Sequence, residues 1–276
     1  MKDLRSIAAI AALYIGVMAA GLSIAVPLVD VIYGPGEVVV LGESVPITPI
    51  AGDPNDPASS GFLIGYIILV TGILLVLIKL GLSRLIRLFM YLSIFSGLSI
   101  GLIGLFGGLG VVFSLPLLLA FIFFRNRNLL ILNGVLGLTC AGIGAFIGAS
   151  FNLFPAALLL AALSAYDLIA VFGTKHMVAL AESSSEEEGN VPLMFQIPMG
   201  GRMLGLGTGD LVMPLMFAVS AYHSSGQHTS LLVVAGGFLG LMALYFYIQT
   251  KKHVTLPALP PLTAGAFIGY AISLIV

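Results

Sequence analysis

The stretch NLFPAALLLAALSAYDLIAVFG, residues 152–173, is a continuous apolar run that contains one acidic side chain, Asp167. A second apolar run, residues 203–222, contains Asp210 in the same way. Each run is long enough to cross a hydrocarbon core of roughly 30 Å as a helix. A carboxylate in such a segment is costly, so it marks a functional site by default. The two runs therefore predict a pair of acidic groups on consecutive membrane-spanning helices.

The composition of the whole chain excludes a soluble domain. Of the 276 residues, 59% are hydrophobic and only 8% are charged, whereas soluble domains carry roughly 25% charged residues. We therefore predict an all-α polytopic membrane protein that contacts the lipid bilayer. The net charge of −1 gives no basis for nucleic acid as a partner. The single cysteine, Cys140, excludes an intramolecular disulfide.

Apolar runs of about 17–25 residues divide the chain into nine predicted transmembrane helices. Residues 86–124 are too long for one pass, so they need two passes joined by a very short turn near Gly107-Gly108. The predicted spans are 7–32, 61–80, 86–106, 108–124, 129–149, 152–173, 203–222, 229–249 and 256–276.

The basic residues indicate the orientation, because Lys and Arg concentrate in cytoplasmic segments. With nine spans and the N-terminus inside, all 11 Lys and Arg residues fall in inner segments or the adjoining helix ends. The C-terminus is then outside. The first run has an alternative interpretation as a signal peptide cleaved near Met18-Ala19-Ala20. Its long apolar continuation favours an uncleaved helix.

We interpret residues 1–276 as a single membrane-embedded domain. Spans one to six fall within residues 1–173, a mobile inner loop covers 174–202, and spans seven to nine fall within 203–276. The acidic, Ser-rich run 183–190 is the reason for predicting mobility in that loop.

Two loop segments have strand character. Val38–Leu41 and Val45–Ile47 flank Gly42-Glu43-Ser44, a pattern that predicts a small β-hairpin in the first outer loop. Pro192–Pro198, in the inner loop, is apolar and has strand-like or interfacial character.

The depth of the two acids along the membrane normal supports a paired site. Asp167 lies roughly 9 Å from the inner end of its span, and Asp210 lies roughly 10 Å from the inner start of its own. Two carboxyls at close range in a low dielectric cannot both be ionised cheaply, so they share a proton. Aspartic proteases use this arrangement to activate a water molecule for attack on a peptide carbonyl. The chemistry requires no metal and no cofactor.

The backbone near both acids is predicted to be open. Gly205, Gly207 and Gly209 indicate a close backbone approach or a bend that admits substrate, with tight helix packing as the alternative. The hydroxyl of Tyr166 is expected to contact substrate or a neighbouring helix. Three prolines within Thr255–Pro261 prevent a regular helix at the inner end of the last span.

In order and location, Tyr166-Asp167, Gly207-Thr208-Gly209-Asp210 and Pro257-Ala258-Leu259 resemble the YD, GxGD and PAL motifs of presenilins and signal peptide peptidases. The nine-span layout is similar over essentially the whole chain. The resemblance implies a GxGD-type intramembrane aspartyl protease, with Asp167 and Asp210 as the catalytic pair and transmembrane-helix proteins as substrates. It implies that the PAL residues border the active site. Substrate contacts are then expected from Tyr166, Gly207, Thr208, Gly209, Pro257, Ala258 and Leu259.

Within this family, the N-inside orientation resembles presenilins rather than signal peptide peptidases. The small size suggests a microbial presenilin homologue, an integral multi-pass protein of the plasma membrane. The short inner loop puts in doubt the self-cleavage that presenilins undergo in their longer loop. Thr208 stands where presenilins usually have Leu, which bears on substrate preference. The oligomeric state stays open, and a homo-oligomer is compatible with the sequence.

A transporter or proton-coupled channel is the rival interpretation, because buried Asp pairs with broken helices also serve ion relays. The G-x-S-x-G pattern at Gly97–Gly101 is attributed to chance, since no span core contains a His to act as base. No H-E-x-x-H motif is present, which excludes an intramembrane zinc protease. Asn133 and Thr139 are expected to make interhelical hydrogen bonds.

Overall fold

Helices account for most of the chain in the computed structural model, which describes residues 2–33, 38–40, 43–45, 48–50, 55–124, 127–172, 194–199, 202–250 and 257–276. The helices are α1 (Lys2–Tyr33), α2 (Pro57–Lys79), α3 (Ser83–Phe106), α4 (Gly110–Phe124), α5 (Leu129–Ser150), α6 (Leu153–Phe172), α7 (Thr208–Ser225), α8 (Gln227–Thr250) and α9 (Leu259–Ser273). The strands are β1 (Val38–Val40), β2 (Glu43–Val45), β3 (Met194–Met199) and β4 (Arg202–Gly207).

Several of these helices are long and apolar enough to cross a membrane. Within the described residues, four stretches qualify by length and composition: Ser6–Tyr33, Ser83–Phe124, Leu129–Ser150 and Gln227–Gln249. Pro57–Ile73, Leu153–Ile169 and Leu259–Ser273 are shorter apolar helices. The protein is therefore an integral multi-pass membrane protein. The nine crossings and the N-inside orientation stay predictions.

The long run 83–124 folds back on itself, as the sequence predicted. A short 3-10 turn, Gly107–Leu109, separates α3 from α4, and Gly107 has φ of 63°, which favours glycine. A Cβ atom at Gly110 would collide with the backbone of Leu102, so this glycine lets the two helices approach closely. The hydroxyl of Ser99 donates to that of Ser114 across the hairpin at 3.0 Å. The serine of the G-x-S-x-G pattern therefore has a packing role.

Helix α5 lies at the centre of the bundle, packed against α1, α3, α4 and α7. Its buried face is rich in small residues, which allows these neighbours to come close. The hydroxyl of Thr139 donates to Val135 O of the same helix at 2.8 Å. The predicted interhelical bond of Thr139 is therefore wrong, because a Thr hydroxyl in a helix can satisfy itself on the preceding turn.

Two antiparallel hairpins interrupt the helical chain. The pair β1–β2, with Val38 opposite Val45, confirms the predicted hairpin in the first loop, although β2 begins at Glu43. The pair β3–β4 runs from Met194 opposite Gly207 to Met199 opposite Arg202. The strand character predicted for Pro192–Pro198 is confirmed over its described part.

The hairpin β3–β4 corrects two predictions. Residues 194–199 belong to a strand, although they lie within the loop predicted to be mobile. Residues 174–193 of that loop, including the acidic run, lie outside the described residues. Residues 203–207 were predicted to begin a helical span, but they belong to β4, and α7 begins at Thr208. Gly205 and Gly207 are poor helix formers, and Leu204 alternates with Leu206 at the strand period.

Helices α8 and α9 make backbone-to-backbone contact through glycines. A Cβ atom at Gly265 would collide with the carbonyl oxygen of Gly236, and one at Gly269 would collide with that of Leu232. The Gly-x-x-x-Gly pair Gly265/Gly269 is therefore a packing interface. By contrast, a Cβ atom at Gly61 would meet nothing within 4 Å.

We predict that Gly265→Ala lowers the stability of the protein. The added methyl group would force α8 and α9 apart, at a cost of about 1–3 kcal/mol. Gly61→Ala, in the exposed part of α2, is the matched control and should be neutral or stabilising, because Ala is favoured over Gly in a helix by about 1 kcal/mol. Thermal unfolding in detergent measures both. Equal midpoints for the two variants would contradict the tight packing of α8 on α9.

Candidate active site

Asp167 lies on α6, five residues before the last residue of that helix, Phe172. Its carboxyl is partly buried, and Oδ2 accepts a hydrogen bond from the backbone N–H of Leu259 at 3.3 Å. Leu259 is the first residue of α9. A helix start leaves N–H groups without intrahelical partners, so Asp167 receives its partner from the beginning of another helix.

The prolines at the start of α9 decide which N–H group is available. Pro260 and Pro261 follow Leu259 directly and carry no N–H, so within this first turn Leu259 offers the donor. Pro is tolerated there because an N–H at these positions would have no helical partner. The expected break at the start of the last span is confirmed: Pro257 and Ala258 precede the helix, and Leu259 is 6% exposed.

Asp210 lies in the first turn of α7, three residues after the N-cap residue Gly207. Its carboxyl interacts with the backbone of Gly207, as an acidic side chain at the third helical position does when it reaches back to the cap N–H. A Cβ atom at Gly207 would lie 2.8 Å from Asp210 Oδ2. Glycine at 207 therefore leaves the space that the carboxyl occupies.

The start of α7 corrects the predicted depth of Asp210. The predicted depth of roughly 10 Å requires a helix from residue 203 through Asp210. The strand β4 precedes α7 instead, so Asp210 lies at the beginning of its helix. The strand β4 therefore leads directly to Asp210, and the backbone N–H groups near its carboxyl are those of the first turn of a helix.

The two acids are brought together by helices that pack on one another. Helix α6 contacts both α7 and α9, and α7 contacts α9. Asp167 and Asp210 are near enough to interact electrostatically. Because Leu259 donates to Asp167, the sequence-distant PAL segment also meets the pair. The structure thus assembles the three motifs at one site.

The other predicted site residues take different positions. The carbonyl of Thr208 accepts a weak hydrogen bond from the Cys140 thiol at 3.7 Å, so its backbone faces α5. A Cβ atom at Gly209 would meet nothing within 4 Å, so this glycine is not required by packing. Tyr166 is 51% exposed, on the outside of α6. Pro257 is buried and Ala258 is half-buried beside Leu259.

Two polar residues beside the site hold β3, and the sequence analysis missed their role. The Asn133 side chain on α5 binds both backbone groups of Gln196: Nδ2 donates to the carbonyl at 2.8 Å, and Oδ1 accepts from the N–H at 3.0 Å. Ser6 on α1 donates to the carbonyl of Pro198 at 2.9 Å. The interhelical bond predicted for Asn133 is thus replaced by a helix-to-strand contact. The sequence feature that could have indicated this contact is an Asn within an apolar span.

Metal-ligating side chains do not cluster in this region. Among the described residues, no group of three or more His, Cys, Asp or Glu side chains is placed to hold a metal ion. The described part of the site does hold two carboxyl groups, each with a backbone N–H partner.

A carboxyl pair that shares a proton is the catalytic device of aspartic proteases. Two acids brought together in a multi-pass helical bundle, as Asp167 and Asp210 are, therefore point to the class of membrane-embedded aspartyl proteases. Residues 39–276 match the family described as signal-peptide peptidase, presenilin aspartyl protease. The chain belongs to this family, and it is an intramembrane aspartic endopeptidase of the presenilin type.

Solved structures have the same fold. A presenilin family intramembrane aspartate protease in a C222 crystal form superposes with a TM-score of 0.65 at 20% identity, covering 95% of this chain and 99% of that chain. A presenilin family intramembrane aspartate protease in a P2 crystal form gives a TM-score of 0.65 at 23% identity, covering 95% and 96%. No curated protein matches the sequence significantly.

We predict that Gly207→Ala impairs cleavage without unfolding the protein. The new methyl group would displace the Asp210 carboxyl, and a shift of about 1 Å in a reacting group costs on the order of 100-fold in rate. Gly61→Ala on α2 is the matched variant, because its methyl group meets no neighbour and Gly61 lies outside the three motifs, and its loss of activity should be far smaller. Initial cleavage rates and thermal unfolding of both variants measure the difference. Equal rates would show that Gly207 does not set the position of Asp210.

Proposed function

We propose that this enzyme hydrolyses peptide bonds within or near the transmembrane segments of membrane-protein substrates, with Asp167 and Asp210 as its general acid and base. The observation that carries the proposal is the placement of Asp167 and Asp210. The two acids come from packed helices and are near enough to interact electrostatically, and Asp167 accepts a hydrogen bond from the backbone N–H of Leu259.

The proposed reaction uses a water molecule as nucleophile. The ionised carboxyl accepts a proton from water as the water oxygen bonds to the peptide carbonyl carbon, and the protonated carboxyl donates its proton to the carbonyl oxygen. The tetrahedral gem-diol then collapses: the C–N bond breaks, and the leaving nitrogen receives the proton from the protonated carboxyl. One gem-diol hydroxyl gives its proton to the ionised carboxyl as the C=O bond re-forms, so the pair again holds one proton. Protons and charge balance without an additional group.

The substrate must present its scissile bond in an extended form, because a helix hides its amides in hydrogen bonds. Strand addition at a sheet edge is one way to hold such a segment. The edge of β3 is occupied, since Asn133 and Ser6 bind the outward backbone groups of Gln196 and Pro198.

The open edge belongs to β4. Both backbone groups of Gln196 point away from β4. In an antiparallel pair the opposite residue then also directs its N–H and C=O away from its partner, so the backbone groups of Gly205 point outward from β4. The same holds for Met203, which is opposite Pro198. Met203 is 54% exposed, and β4 leads directly to Asp210. A substrate strand paired with β4 would therefore run towards the acid pair. Tyr166, Gly207, Thr208, Gly209 and the PAL residues 257–259 would border it.

A single domain over residues 1–276 would span the plasma membrane of a microbe nine times, with the N-terminus inside. The placement of the basic residues supports this orientation. Transmembrane-helix proteins are the proposed partners, within a lipid bilayer, and self-association into a homo-oligomer is compatible with the exposed apolar helices.

We predict that Asp167→Asn and Asp210→Asn each reduce cleavage at least about 1,000-fold, because each removes an acid–base group that works as part of a unit. The assay incubates purified protein in liposomes with a single-span substrate and identifies products by mass spectrometry. Asp30→Asn, an exposed acid on α1, is the matched control and should cleave normally. Cleavage that persists in either of the first two variants would refute the pair. Proton flux without cleavage would favour a transporter.

We predict that Met203→Pro slows cleavage by removing an outward N–H from β4. Proline fits an edge strand where the N–H does not join the existing ladder, so the hairpin itself should survive. Met203→Ala is the control, because it shortens the side chain and keeps the N–H. The loss of one hydrogen bond corresponds to roughly a 2- to 10-fold rise in KM. A proline variant with the same KM as the alanine variant would argue against pairing at β4.

A further inference from the structure

One edge of β3 is closed by two helices that are far from it in sequence. Asn133 of α5 gives Gln196 the two hydrogen bonds that a neighbouring strand would give, at 2.8 and 3.0 Å. Ser6 of α1 binds the carbonyl of Pro198, two residues further on, at 2.9 Å. We call Asn133 and Ser6 the edge clamp.

Packing alone would not fix where the hairpin lies along its own axis. One face of the hairpin is buried, with Phe195 at 0% and Ile197 at 2% exposure. Apolar burial is non-directional, so it fixes which face points inward more firmly than it fixes the position along the strand. The hydrogen bonds of the edge clamp have defined directions, and they bind two named residues of β3.

The opposite face of β3 has little packing to support it. A cavity of about 710 Å³ lies between α1 and α5, and its lining includes Asn133, Gln196 and Pro198. This face of β3 is therefore held less by packing against α1 and α5 than the buried face is. The hydrogen bonds of the edge clamp add directional contacts to the same two helices.

We infer that Asn133 and Ser6 are positioning residues that set which peptide bond is cut. The inference rests on the proposed function, in which a substrate strand pairs with β4. The path is short: Asn133 holds Gln196, Gln196 lies opposite Gly205, and Gly205 is two residues before Gly207, which contacts Asp210. A hairpin held in one place presents one substrate bond to the acids.

The size of a slip determines what a loosened clamp would do. One residue along a strand is about 3.3 Å, and a shift by two residues restores the same side-chain face and the same hydrogen-bonding pattern. Either shift moves a different bond of the substrate to Asp167 and Asp210. Loss of the clamp is therefore expected to broaden the set of products more than it lowers the total rate.

The test measures cleavage positions by mass spectrometry in four variants. Asn133→Leu removes both hydrogen bonds to Gln196 at similar volume, and Ser6→Ala removes the hydrogen bond to Pro198 O. The ratio of the main product to products cut one or two residues away should fall roughly 10-fold in Asn133→Leu and about fivefold in Ser6→Ala. Thr139→Val on α5 and Ser23→Ala on α1 are matched controls, because each hydroxyl binds only its own helix among the bonds of the described residues. Both controls should keep the wild-type ratio.

Two further measurements make the outcome decisive. Ser6→Thr keeps a hydroxyl and should restore the wild-type product ratio, which a general loss of stability would not do. Hydrogen exchange at the Gln196 amide should accelerate roughly 2- to 10-fold in Asn133→Leu, because that N–H loses its acceptor. This second readout does not require activity, so it also covers a variant that is too unstable to assay.

The results separate failure of the inference from failure of the proposed function. If Asp210→Asn abolishes every product while Asn133→Leu and Ser6→Ala cut at the wild-type positions in the wild-type ratio, the edge clamp does not set the cleavage position. If the Asp210→Asn variant still cuts, the proposed function itself is wrong. Unchanged exchange at Gln196 in Asn133→Leu would overturn the clamp on its own.

Discussion

The fold is governed by the need to give two carboxyls hydrogen-bond donors inside an apolar bundle. Burying an acid without a partner is too costly, and no Lys or Arg stands within seven residues of either acid in the sequence. The protein meets the need with backbone: Asp167 receives the N–H of Leu259, and Asp210 interacts with Gly207. Free backbone N–H groups exist at helix starts. Two helices, α7 and α9, therefore have to begin at the site, and the chain has to enter each of them without being helical.

The backbone polar groups at the start of each of these two helices are satisfied in a different way. In the first turn of α9, Pro260 and Pro261 carry no N–H groups that would need partners, so Leu259 is the donor left for Asp167. Before α7, the backbone of β4 pairs with β3, and the far edge of β3 is satisfied by Asn133 and Ser6. Irregular backbone at membrane depth is tolerated only where protein or a water-filled cavity satisfies it. The pairing of β4 with β3 satisfies part of the non-helical backbone that precedes α7, and the backbone groups of Met203 and Gly205 point away from that pairing.

The sequence predicted the parts of this arrangement that have a local signature. The acids stood out because each is alone in an apolar run, the turn at 107–109 followed from a run too long for one pass, and the prolines marked the start of α9. The strand β4 was missed because residues 203–207 are apolar and continue into a helix, and a short apolar run has no reliable helix or strand period. Asn133 was recognised as a buried polar group, but its partner on β3 lies 63 residues away. No pattern within α5 indicates that pairing.

Helix α1 shows that residues outside the three motifs also support the candidate site. It carries none of the three motifs, and it lies before the residues 39–276 that match the family. Yet Ser6 binds β3, and the hydroxyl of Tyr14 donates to Val234 O of α8 at 3.0 Å. Helix α8 is in turn packed through glycines on α9, whose first residue holds Asp167. The helix α1 therefore contacts the supports of both acids, the hairpin that leads to Asp210 and the helix pair that leads to Leu259. A displacement of α1 would act on both supports together, so α1 is a structural part of the candidate site.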